Sequence, residues 1–220
     1  MTSPHHLHAV AAAWSLQAAR TALAQLARAA NRRAADDLLA AASILRAPVY
    51  GTRLSGGGHG DPTTGVLLAP PTAHETTWAD LLQRSTGRLD WLADAIRCPT
   101  GLTVGRIREH IPALPPGTVR LVARHLADED AWVRAAIRQP RPVEPLTGVP
   151  CPHCGERQLV VQTAGPVDAW TVICTTGRLC TGAGCPCGMP GAVEGVAHIW
   201  RRADVLGAVA GAVPANTEAG

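Results

Sequence analysis

Apolar residues recur with a helical period along the N-terminal part of the chain. No Gly or Pro lies between Leu7 and Leu45, and Ala and Leu dominate this segment. Because Ala has the highest helix propensity, the segment predicts a long helix or a helical hairpin, with a kink or turn at the polar residues 31–33. Its apolar positions follow a heptad-like seam: Leu23, Leu26, Ala30, Ala34, Leu38, Ala41 and Leu45.

A second amphipathic helix is predicted to begin after Thr77. Thr77 and Asp80 have the spacing of the N-cap and N3 residues of a capping box. The apolar or small positions that follow alternate by four and three residues: Trp78, Leu82, Ser85, Leu89, Leu92 and Ile96. This period predicts one face packed on a partner helix, for which the N-terminal helix is the candidate. Between the two helices, the Gly-rich residues 51–62 predict an irregular loop.

Short helices are predicted between residues 103 and 139. The Pro-rich residues 112–117 interrupt the first of them, and the acidic run that begins at Asp128 predicts the start of a further helix. This succession is compatible with a helix-turn-helix unit. The arginines that such a unit would expose to duplex DNA are Arg120, Arg124, Arg134 and Arg138. The alternative interpretation is an ordinary helical bundle whose arginines are solvated or contact protein.

Beyond this region the pattern changes to short apolar strands framed by cysteines. The Pro-rich residues 141–150 predict a stiff linker. Strand-like segments follow at 158–162 and 170–173, separated by a turn at Gly165-Pro166, and residues 198–202 are predicted to close the sheet.

The cysteines predict a metal site in this last region. Cys151-Pro152-His153-Cys154-Gly155 is typical of a metal knuckle, because the spacing turns both sulfurs to one side of a tight turn. The predicted zinc ligands are Cys151, Cys154, Cys174 and Cys180, with Cys185, Cys187 and His198 as alternates for the fourth place or as ligands of a second ion. Four ligands would close the coordination sphere, so the Zn²⁺ is predicted to be structural. His153 is predicted to point away from it, and Cys98 to be a small buried hydrophobe.

Composition narrows the class of protein. Every one of the twenty basic residues is Arg and Phe is absent, which indicates a G+C-rich genome. A formal net charge of +3 does not by itself indicate nucleic-acid binding. No stretch approaches the roughly 18–20 apolar residues of a membrane span, and no signal peptide is predicted. A cytoplasmic location is therefore expected, where thiols stay reduced and clustered cysteines bind metal.

Several segments resemble a cysteine-rich zinc-ribbon tail of small, helix-turn-helix-like proteins from actinobacterial phages and prophages. The matching residues are 151–155, 172–174, 185–188 and 198–200. The resemblance implies a phage-type, DNA-binding protein that works in the host cytoplasm. It brings no catalytic residues.

The predicted fold is mainly α: an N-terminal helical bundle over 1–140, the linker, a small β zinc ribbon over 151–202, and a short helix or tail over 203–220. The predicted function is a non-enzymatic, zinc-binding regulator of transcription that binds duplex DNA or a protein such as RNA polymerase. The main alternative is a protein–protein adaptor or phage structural accessory protein without nucleic-acid binding. A nucleic-acid-processing enzyme with an accessory ribbon is a further alternative. No membrane partner is predicted, and the heptad-like helices allow a homo-oligomer.

Overall fold

A computed structural model of the chain describes residues 3–46, 76–98, 104–189 and 191–211. The described part is mainly helical and carries a small antiparallel sheet toward its C-terminal end, as the sequence predicts. The elements in chain order are α1 (Pro4–Arg46), α2 (Trp78–Ala95), α3 (Val104–His110), α4 (Pro116–Ile137), β1 (Val143–Pro145), β2 (Leu159–Gln162), β3 (Thr171–Cys174), β4 (Ile199–Arg201) and α5 (Arg202–Gly211). The predicted loop at 51–62 and the chain beyond 211 lie outside the described residues.

Helix α1 is continuous, so the hairpin alternative at residues 31–33 is wrong. Its first half lies in the core, where Leu16 and Leu23 are fully buried. Residues 31–40 are exposed, and the heptad-like seam is therefore not buried beyond Ala27 in the described side chains. An Ala-rich segment without Gly or Pro keeps its backbone hydrogen bonds in water, which explains why the helix continues past the core.

Helix α2 begins as predicted. The Thr77 side chain accepts from the Asp80 amide while the Asp80 carboxylate accepts from the Thr77 amide, so the capping box is formed. Its buried residues Ser85, Leu89 and Leu92 face the core that α1 shares with α3 and α4. The predicted pairing of α2 with the N-terminal helix is therefore confirmed.

Helix α4 runs without a break from Pro116 to Ile137, so the predicted start of a new helix near Asp128 is wrong. The acidic residues Glu129 and Asp130 lie in the middle of α4 and are buried against basic partners, which is why they do not cap a helix. Nor does any described helix combine the length and the apolarity that a membrane span requires.

The sheet has the strand order β1-β2-β3-β4, and all neighbours are antiparallel. Strands β2, β3 and β4 fall where the sequence predicts them. The segment predicted as a linker contributes β1, which pairs with β2 at the edge of the sheet. The sheet also touches the helices: the His8 ring donates from Nε2 to the Ala197 carbonyl at 2.9 Å. The first turns of α1 thereby lie beside the loop that leads into β4.

Candidate metal centres

Two groups of side chains that could hold a metal ion lie in the C-terminal part of the described chain. Within each group, all the candidate ligand atoms are within 4.8 Å of one another. The first group contains Cys151, Cys154 and Cys174, and the second contains Cys180, Cys185, Cys187 and His198. All the cysteines of the chain are free thiols in this structure. Each group has the donor atoms that Zn²⁺ and other thiophilic ions prefer.

The first group is formed by the knuckle at residues 151–155 and by the end of strand β3. The Cys151 amide donates to Glu156 and the Gly155 amide to Cys151, which closes the turn. Gly155 has a φ of +74°, a left-handed conformation that favours glycine. Cys174 ends β3, where the register pairs it with Leu159 of β2. This pairing brings the sulfur of Cys174 to 3.8 Å from that of Cys154.

Beside these three thiols lies the hydroxyl of Thr176. Its Oγ1 atom is 3.0 Å from the Cys174 sulfur and 3.9 Å from the Cys154 sulfur. Thr176, Cys154 and Cys174 are partly exposed, whereas Cys151 is buried. The first group therefore has a buried sulfur on one side and an accessible hydroxyl on the other.

A short two-stranded pairing builds the second group. The Cys180 amide donates to Val196 and the Gly195 amide donates back to Cys180, both at 2.8 Å. An isolated bridge between Leu179 and Ala197 continues this pairing. It places Cys180 next to His198, although eighteen residues separate them along the chain. The Cys185-Pro186-Cys187-Gly188 turn then supplies two more sulfurs.

The ring of His198 is oriented for metal binding. Its Nδ1 atom is 3.1 Å from the Arg178 carbonyl, which can only accept, so Nδ1 carries the proton. The other nitrogen, Nε2, faces the Cys185 sulfur at 3.4 Å and keeps its lone pair. A histidine that ligates a metal usually donates its second ring nitrogen in this way. His198 is buried, and its ring stacks on Trp200.

His153 lies between the two groups. It belongs to the first knuckle, yet its Nδ1 atom is 3.2 Å from the sulfur of Cys185 in the second group. Its ring stacks on that of His198 with centroids 4.0 Å apart. The local turn alone predicts that His153 points away from a metal. The contact with Cys185 joins positions far apart in the chain, and no local spacing indicates it.

The surroundings raise the pKa of some of these thiols and lower that of others. Burial raises the pKa of Cys151 to about 11 and that of Cys187 to about 12. At Cys185 burial also opposes ionisation, but hydrogen bonds, led by those from the backbone of Thr181 and Cys187, outweigh it and lower the pKa to about 4. Since only the thiolate binds metal, an ion that enters either group must displace protons from the buried cysteines.

The predicted ligand set is thus divided between two groups. Cys151, Cys154 and Cys174 come together as predicted, but Cys180 joins the alternates Cys185, Cys187 and His198 instead. The backbone pairing with Val196 decides this, because it turns Cys180 toward His198.

The arginines predicted to contact DNA also differ in their exposure to solvent. Arg120, Arg124 and Arg138 are exposed, and Arg124 lies 3.8 Å from the exposed carboxylate of Asp128. Arg134 is buried, so its prediction as an exposed DNA contact is wrong. Its guanidinium donates to Asp130, to Ser15 and to the Pro140 carbonyl, which satisfies its charge inside the protein.

Comparison of the chain with protein-family models, with curated proteins and with solved structures finds no match. Function is therefore inferred from the geometry of the two groups and from the surface of α4.

Proposed function

We propose that this protein is a non-enzymatic, zinc-binding regulator that contacts duplex DNA or the transcription machinery. Two Zn²⁺ ions, one in each group, would fix the sheet and its loops as a ribbon-like module. The observation that carries the metal part is the meeting of seven sulfur and imidazole ligands in two compact groups. In a reducing compartment such as the cytoplasm, thiols clustered in this way stay reduced and bind metal.

The metal part is tested by counting zinc in protein purified under reducing conditions. We expect about two ions per chain, about one after Cys151→Ser, and about one after Cys187→Ser, because each substitution removes a buried ligand from one group. Cys98→Ser is the matched control, since Cys98 lies against the helical core, and it should leave the count unchanged. Native protein without zinc would refute the metal part of the proposal.

The DNA part depends on the N-terminal half of α4. In helix-turn-helix proteins the second helix contacts base edges with its N-terminal residues. Here α3 and α4 are the two helices, and α4 exposes Arg120, Leu121 and Arg124 along one side near its start. Val119, Val122 and Leu126 on the other side lie in the core. The exposed side is thus held by a rigid element, as a recognition surface requires.

The test is salt-dependent binding to duplex DNA. Phosphate contacts release counterions, so we expect binding at about 50 mM salt that is largely lost near 200 mM. Arg120→Gln with Arg124→Gln should weaken it. Arg32→Gln with Arg33→Gln is the matched control, because it removes the same charge from an exposed part of α1. Equal loss in both double variants would show non-specific attraction rather than a binding surface.

A protein-binding adaptor is the second candidate. The observation that favours it is Leu121, which is 60% exposed between the two arginines, together with the pairing of Arg124 and Asp128. A mixed apolar and polar surface of this kind suits a protein partner better than a phosphate backbone. The absence of any DNA binding at low salt, combined with association of a protein that Leu121→Asp abolishes, would favour the adaptor.

A further inference from the structure

We propose that the first group holds its zinc ion with an open fourth position beside Thr176, and that this position accepts a small exogenous nitrogen or sulfur donor. The second group, by contrast, closes its ion with four protein ligands. The inference rests on the proposed binding of zinc to both groups and adds that the two sites differ in kind.

The distances fit a tetrahedron around an ion. With zinc–sulfur bonds of about 2.3 Å, tetrahedral geometry places two sulfur ligands about 3.8 Å apart. The sulfurs of Cys154 and Cys174 are 3.8 Å apart. With a zinc–oxygen bond of about 2.1 Å, a sulfur and an oxygen ligand would lie about 3.6 Å apart. The Thr176 hydroxyl, at 3.0 Å from the Cys174 sulfur and 3.9 Å from the Cys154 sulfur, does not match this distance on the Cys174 side, and so lies beside the fourth corner rather than at it.

A comparison of two turns within the chain shows which ligand the first group lacks. The second group contains the turn Cys185-Pro186-Cys187-Gly188, and the first contains Cys174-Thr175-Thr176-Gly177. Both turns end in a glycine with positive φ, +64° at Gly188 and +74° at Gly177. Thr176 therefore stands at the position that Cys187 occupies in the second turn. A hydroxyl stands in the place of a thiol.

This exchange changes the chemistry of the site. A neutral threonine hydroxyl is not among the ligands that zinc ordinarily takes from proteins, which are thiolate, imidazole and carboxylate. Three protein ligands with an exchangeable water in the fourth place are typical of open zinc sites. The hydroxyl of Thr176 can hold that water by a hydrogen bond, and its partial exposure lets a competing donor reach the ion. Imidazole and small thiols have the right size and donor atom.

The test uses the full chain loaded with Co²⁺, whose visible spectrum reports on its ligands. Imidazole should change the spectrum of the native protein and of Thr176→Val, which keeps the fourth position open. Thr176→Cys should supply a fourth thiolate and abolish the change. It should also slow the release of one of the two zinc ions to a chelator by roughly tenfold or more, because closed sites exchange their ion less readily.

Thr175→Val is the matched control. The Thr175 hydroxyl donates to the Gln158 carbonyl, away from the sulfurs, so its loss should leave the imidazole response and the release rates unchanged. Loss of zinc from Thr176→Val would overturn the inference, since Thr176 would then be a required ligand. An imidazole response that persists in Thr176→Cys would also overturn it. A Cys151→Ser variant that keeps both zinc ions would instead refute metal binding by the first group, and with it the metal part of the proposed function.

Discussion

At the scale of single residues, Gly165 lies where the sheet packs closely against helix α1. It has a φ of +88° in the turn between β2 and β3. A Cβ atom at this position would lie 2.5 Å from the ring of Trp14 on α1. The Arg108 guanidinium lies over the same ring, 3.6 Å from its centroid. The absence of a side chain at Gly165 therefore allows the closest approach between the turn and α1.

We expect Gly165→Ala to destabilise the protein more than Gly148→Ala does. Gly148 also has positive φ, +79°, but a Cβ there meets no atom within 4 Å, so its substitution adds only backbone strain of about 1–3 kcal/mol. At Gly165 the displaced ring adds a further overpacking cost of about 1–3 kcal/mol. Urea denaturation of the two variants under the same conditions measures the difference. Equal losses would show that Trp14 moves aside freely.

At the scale of elements, Asp130 joins α4 to two other segments. Its buried carboxylate accepts hydrogen bonds from Ser15 on α1, from Arg134 on α4 and from Arg141 just before β1. Three donors around one carboxylate satisfy its charge in a place that water does not reach. Asp130 thus fixes α1 against α4 and holds the start of the sheet near both.

We expect Asp130→Ala to lower the free energy of unfolding by roughly 3–5 kcal/mol, because it leaves the Arg134 guanidinium buried without its partner. Asp128→Ala is the control on the same helix. It breaks an exposed pair with Arg124 and should change stability by less than about 1 kcal/mol. Thermal or urea denaturation followed by circular dichroism measures both. A small loss in Asp130→Ala would mean that water enters and solvates Arg134.

At the scale of the whole molecule, two kinds of core hold the chain. The helices share an apolar core, in which Leu16, Val119 and Leu126 are fully buried. The sheet packs its few apolar side chains among cysteines, including Cys151, Cys180 and Cys187. An apolar core of this small size gives little folding energy, so bound metal is expected to provide much of it.

Removal of metal should therefore affect the two parts unequally. After chelation, we expect faster amide hydrogen exchange in β2, β3 and β4 and unchanged protection in α4, because only the sheet depends on the ions. Exchange followed by mass spectrometry measures this, and re-addition of Zn²⁺ should restore protection. Strands that stay protected after complete removal of zinc would show that the sheet holds without metal.

The sequence by itself determined most of the local elements and indicated a metal site. The capping box at Thr77, the uninterrupted Ala-rich segment of α1, and strands β2 and β3 around Gly165 were all predictable, because neighbours within a few residues decide them. The clustered cysteines likewise indicate metal binding through their spacing alone. The prediction of separate short helices within α4 was wrong. Its acidic residues resemble the start of a helix, but Glu129 and Asp130 are buried partners of arginine in the middle of α4.

Only the tertiary structure decided which side chains act together. Cys180 belongs with His198 because a backbone pairing far along the chain turns it there, and His153 touches Cys185 across 32 residues. Arg134 is buried because Asp130 and Ser15 surround it, although its position on a helix resembles that of the exposed Arg124. Ligand grouping and burial depend on contacts between distant segments. Spacing along the chain does not reveal these contacts. The sequence therefore identifies the candidate ligands but not the group to which each of them belongs.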